Sequence, residues 1–235
     1  MNIAIYRNKR NNDIKKVSKF VDNLRDKIPA KIDLTILQDL SKEDTVAAMN
    51  NAEIIIIFSH GSKDKIFFYI SSEYNIGDNE GVVLINRQNA KVFSQKKVIV
   101  FACDTAIELG PYVVDQNQSV LCKSYIGFAD TIDYGISNSG CDVKLLIGYF
   151  YKVYGAVFED VIVTALNNNF TPSKLTRYFK VRLNKVIRDC KCDGVDIPAF
   201  PQEVLPKINK IFEKTLNAMI ALGETNEALY TTDAS

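Results

Sequence analysis

Apolar residues follow two rhythms along this chain: short β-branched runs, and repeats at helical spacing. The strongest runs are Ile54-Ile55-Ile56-Ile57-Phe58, which gives way to Ser59-His60-Gly61, and Val98-Ile99-Val100-Phe101, which gives way to Ala102-Cys103-Asp104. Each is continuous and bounded by polar residues, the pattern of a strand buried on both faces of a parallel sheet. Alternation over residues 2–6 and around Ile32, Leu34 and Ile36 predicts two earlier strands. Between them, Val17, Phe20, Val21, Leu24 and Ile28 predict an amphipathic helix that Pro29 stops. Ser41, with Glu43 and Asp44 behind it, caps a short helix to about Asn50. This β-α-β-α-β opening predicts an α/β fold with a doubly wound, mostly parallel sheet flanked by helices.

Past His60, residues 65–71 and 81–85 predict a hairpin around a polar turn at 73–80, and residues 86–93 a short connection. Residues 105–109 are expected to be helical directly after Cys103, with an interruption at Gly110-Pro111. Residues 123–128 predict another strand, ending in a loop with Asp130 and Asp133. The apolar stretch 142–166 is read as two helices broken at Gly155. Thr171-Pro172 suits a helix start, threonine as cap and proline in the first turn. A last helix is expected over 203–222, with a frayed polar tail from Gly223. The expected organisation is a core domain over 1–170 and a C-terminal helical extension over 171–235, packed on or extending it.

Composition narrows the function classes. Of 235 residues, 47% are hydrophobic, enough for a substantial core. Lys plus Arg number 29 against 28 Asp plus Glu, which argues against a dedicated nucleic-acid binder. No apolar stretch approaches the ~20 residues of a membrane span, and the opening residues 1–7 are too short in apolar length for a signal peptide. The expectation is a cytoplasmic protein without a membrane partner. Five cysteines, an odd number, fit reduced thiols better than a disulfide framework. With a single histidine and no paired-cysteine knuckle, neither a metal nor another cofactor is expected.

That one histidine and Cys103 each close an apolar strand, where open parallel sheets collect functional groups. A thiol attacks as its thiolate, so it needs a proton acceptor or local positive potential. His60 can take the thiol proton and return it to a leaving amine. Gly61 allows a substrate carbonyl to approach the backbone, and its N–H can serve a developing oxyanion. A helix start just after Cys103 would also stabilise negative charge. The order excludes several alternatives. His60 lies 43 positions before Cys103, whereas papain-like enzymes place histidine after cysteine. Position 109 is Leu, not the arginine of a phosphatase loop, and position 106 is Ala, not the second cysteine of a redox pair. No glycine-rich phosphate loop follows the first strands.

An apolar strand ending in His-Gly, followed by a second ending in Ala-Cys, resembles the caspase-like cysteine peptidases. The chain looks most like their CHAT-domain branch, related to separase and gingipain. Asn89-Ala90-Lys91-Val92-Phe93, Tyr125-Ile126-Gly127-Phe128 and the segment from Phe150-Tyr151 through Gly155 to Leu166 add to the likeness, which spans about residues 32–168. It implies a caspase-like fold and a thiol acyl-enzyme formed on a protein substrate. His60 is then the general acid/base, Cys103 the nucleophile, and the Gly61 and Cys103 N–H groups the oxyanion donors. Phe101-Ala102-Cys103-Asp104-Thr105 departs from the caspase signature, so a basic pocket for aspartate is not supported. Asp104, Asp130 or Asp133 could instead favour a basic side chain before the cut. An activating protein partner is expected, because no sensor segment is evident. A catalytically silent binding or scaffold module of the same fold is the alternative.

Overall fold

The computed structural model describes residues 1–69, 81–132, 143–189, 192–195 and 200–230. The chain opens with β1 (Asn2–Arg7), α1 (Asn12–Val17) and a 3₁₀ segment over Lys19–Lys27, then β2 (Asp33–Leu37), α2 (Lys42–Asn50) and β3 (Ile54–Phe58). A small antiparallel sheet follows, made of β4 (Gly61–Ser62), β5 (Lys65–Tyr69) and β6 (Val82–Asn86). A 3₁₀ turn (Ala90–Phe93) leads to β7 (Lys97–Phe101), α3 (Leu109–Val114) and β8 (Ser124–Phe128). The chain then runs through α4 (Val143–Asn167), α5 (Pro172–Asp189), α6 (Leu205–Ala218) and β9 (Met219–Gly223). The large sheet has the order β2-β1-β3-β7-β8-β9, parallel except for β9.

Strand β3 is buried at every position, as its unbroken apolar run requires when both faces are covered. Ile54, Ile56 and Phe58 face the layer of α1, α4, α5 and α6, while Ile55 and Ile57 face the opposite core under α2, α3 and the small sheet. On the first face Phe58 and Phe101 stack with centroids 4.6 Å apart, and Phe158 of α4 lies 4.5 Å from Phe101. Such ring pairs add roughly 0.5–1.5 kcal/mol each beyond their area.

The expected helix over 17–28 is instead a 3₁₀ segment over Lys19–Lys27, set off at Ser18 from α1, which ends at Val17. The cause is the buried Arg7 at the end of β1. Its guanidinium donates to the Ser18 hydroxyl at 2.9 Å, to the Lys15 carbonyl at 3.0 Å and to Asp22 at 2.6 Å. The Ser18 hydroxyl, at the start of the expected helix, and the Lys15 carbonyl just before it thus turn toward a side chain.

Gly155 does not break α4, which is one helix of 25 residues. A Cβ at Gly155 would lie 2.9 Å from the Val17 carbonyl oxygen, so the glycine permits close helix approach. Residues 105–108 form turns, and α3 starts only at Leu109. The expected last helix ends at Ala218, and Met219–Gly223 pairs antiparallel with β8 as the sixth strand. The segment after Gly223 is packed rather than frayed as far as residue 230. Leu229 and Tyr230 are buried, and the Tyr230 hydroxyl donates to the Leu166 carbonyl at 2.7 Å. The Ser41 cap on α2 and the Thr171 cap before α5 stand as expected. The turn expected at 73–80, together with Asp133, Cys141, Cys190 and the last five residues, lies outside the described residues. No helix among the described residues is long and apolar enough to cross a membrane.

Candidate functional site

The site forms where β1, β3, β7 and β8 end together. Register pairs Phe58 with Phe101, and both face the α1/α4 layer. His60 and Cys103 each follow two residues further on, just past the ends of these neighbouring strands. Both are half-buried, accessible at the rim rather than sealed in the core.

Gly61 holds the two strand ends together. A Cβ there would meet the Cys103 carbonyl oxygen at 2.6 Å and the Thr105 methyl at 2.5 Å. Only hydrogen at that position allows this approach. Gly61 also starts β4, opposite Ile66 of β5. The Phe67 N–H donates to the His60 carbonyl at 3.0 Å, so His60 and Phe67 form a hydrogen-bonded pair. In an antiparallel ladder the next pair, Gly61 and Ile66, is then non-hydrogen-bonded, and the Gly61 N–H points away from β5. It is not consumed by the hairpin.

Cys103 is bounded by the loop after β8. The Ile132 N–H donates to the Cys103 sulfur at 3.3 Å, an interaction that strengthens when the sulfur carries charge. The helix start expected behind Cys103 is absent: Asp104 has a left-handed backbone, with φ 60°, and a turn follows. The Asp104 carbonyl accepts from the Ile107 N–H within that turn. Any stabilisation of negative charge at the sulfur comes from individual N–H groups, not from a helix dipole.

The structure sets Gly61, next to His60, against the Cys103 backbone, and Asp104 beside Asp130. The Asp104 N–H donates to the Asp130 carbonyl at 3.4 Å. Burial and the neighbouring Asp130 carboxylate push the Asp104 carboxyl above the usual range, with Lys214 and Lys63 opposing. Asp130 itself pairs with Lys214 at 3.3 Å. Among the described residues no group of three or more metal-ligating side chains could hold an ion. No family model matches this chain, and no curated protein does either.

Burial keeps the His60 imidazole below its ordinary value, and Asp13 is the carboxylate whose field opposes that shift. Sequence reasoning missed Asp13. It lies in the first turn of α1, which Asn11 caps by accepting from the Asp13 and Ile14 N–H groups. The loop before α1 is tied to the histidine strand: the Asn8 N–H donates to the Phe58 carbonyl at 3.0 Å, and the Asn8 amide to the Ser59 hydroxyl at 3.4 Å. On its other side Asp13 accepts from the Tyr151 hydroxyl, and burial raises that phenol. The available signal was position, since Asp13 follows the first predicted strand and so belongs at the same sheet edge as His60.

Proposed function

We propose that this chain is a cysteine endopeptidase of caspase-like type, related to the CHAT branch, that cleaves a protein substrate through an acyl-enzyme on Cys103. The observation that supports this reading is the parallel β3/β7 register, which ends on the stacked Phe58–Phe101 pair, two residues before His60 on one strand and two before Cys103 on the other. A six-stranded, mostly parallel sheet flanked by helices is compatible with that fold.

In this mechanism His60 takes the Cys103 proton and the thiolate attacks the scissile carbonyl carbon. The Gly61 and Cys103 N–H groups receive the oxyanion. The C–N bond then breaks, and His60 returns the proton to the leaving amine. Water, deprotonated by the same imidazole, attacks the thioester and releases the acid and the thiol. Asp13 acts through His60, by favouring the imidazolium that forms in the first step. Asp104 and Asp130 offer negative charge to a basic side chain before the cut, in competition with Lys214. The working setting is cytoplasmic, with an activating protein partner and no cofactor.

Labelling with a peptide carrying a thiol-directed warhead tests the reading. We expect modification of Cys103 in the native chain, lost in Cys103→Ala and in His60→Ala. Labelling that persists in His60→Ala at an unchanged rate refutes the pair and leaves a binding module. Peptides with Arg, Lys or Asp before the bond test the acidic subsite; a preference for Asp refutes it.

A further inference from the structure

Between α1, the following 3₁₀ segment and α4 lies a cavity of about 770 Å³. Lys16 and Lys19 reach it from one wall and Lys144 and Lys152 from the other, with Tyr151 between them. Asp13 is the one carboxylate lining it among the described residues, and it is engaged by the Tyr151 hydroxyl. The Lys16 ammonium stands 5.2 Å over the Tyr151 ring, which ties it to the wall. Lys16, Lys19 and Lys152 make no ion pair among the described residues. In the adjoining groove the acids are already matched, Asp22 by Arg7 and Glu159 by Lys27.

Lys16, Lys19 and Lys152 also border that groove, while the cavity sets four lysines against one carboxylate. Its volume falls in the roughly 300–1,000 Å³ range of small-molecule sites. Lys144 and Lys152 lie eight residues apart on one helix, about 12 Å along its axis. Lys16 and Lys19 stand across from them, so a single small anion cannot span the set.

We propose that this cavity binds a compact small molecule bearing several phosphate groups, held by Lys16, Lys19, Lys144 and Lys152. The inference rests on the cavity and not on the peptidase reading.

Calorimetric titration of the full chain with sodium tripolyphosphate, in salt of about 150 mM to screen diffuse surface charge, tests the proposal. We expect one saturable site, weakened at least about tenfold in the double variant Lys16→Ala/Lys152→Ala. Both lysines are exposed, and circular dichroism checks that the variant is folded. Sedimentation with vesicles carrying a phosphatidylinositol bisphosphate, competed by tripolyphosphate, identifies a lipid headgroup as the phosphate source; its absence, alongside saturable binding, identifies a soluble one. The absence of saturable binding overturns the proposal. So does equal affinity in the folded double variant.

Discussion

Gly61 lies against the backbone of Cys103 so closely that a methyl group on it would sit 2.6 Å from the Cys103 carbonyl oxygen. Gly61→Ala must therefore push the two strand ends apart. Overpacking of this kind costs about 1–3 kcal/mol. We expect a lowered midpoint in chemical denaturation, together with a loss of warhead labelling at Cys103 under conditions where the variant remains folded. A variant as stable and as reactive as the native chain would remove Gly61 from the site.

His60 carries the pH dependence. Burial depresses its imidazole below the ordinary 6.5, so the neutral base persists to lower pH than in an open chain. The rate of Cys103 labelling should fall on the acid side with a midpoint below 6.5. The same linkage acts on folding. As pH falls below about 6.5 the unfolded chain binds the proton first, so stability falls until the folded value is passed. Above that window this group contributes no pH dependence. Denaturation of the native chain and of His60→Gln at several pH values measures the difference.

Asp13 opposes the burial effect on the imidazole. Removing its charge in Asp13→Asn should move the acid limb of the labelling profile further down in pH. A purely structural role would lower stability and leave that midpoint unchanged.

The described cysteines should differ sharply in reactivity. Burial pushes the Cys122 thiol up to about 12, and the same cause raises Cys192. At pH 8 the Cys122 thiolate is then roughly one part in ten thousand, and the thiolate is the reactive form. Cys103 is half-buried at the sheet edge. Iodoacetamide on the folded chain should modify Cys103 well before Cys122, with the difference erased in denaturant. Peptide mass spectrometry reads this directly.

Gly155→Ala tests the contact between α4 and the end of α1. The added methyl meets the Val17 carbonyl oxygen at 2.9 Å, and backbone on both sides leaves little room to give. A loss of about 1–3 kcal/mol is expected, read as a lower thermal midpoint. A stabilised variant would mean that Gly155 acts only as a weak helix residue.

What the sequence determined by itself was local. A run such as Ile54–Phe58, apolar at every position, has no exposed face to offer and must be a doubly covered strand. Ser41 and Thr171 announce their helices because a cap acts within three residues. The strand ends at His60 and Cys103 were legible for the same reason. Decisions carried by distant groups were not. Arg7 interrupts the first helical stretch by donating to Ser18 and Lys15, 11 and 8 residues away. Gly155 reads as a helix breaker until Val17 is seen pressing against it. Met219–Gly223 continues a helical pattern and becomes a strand because β8 offers it an unpaired edge. Asp13 and His60 stand 47 positions apart in sequence, and the charge of one acts on the other only because β1 and β3 are neighbours. Short-range preferences are written into adjacent residues, whereas pairing across a sheet depends on which strand finds which edge, and only the assembled fold decides that.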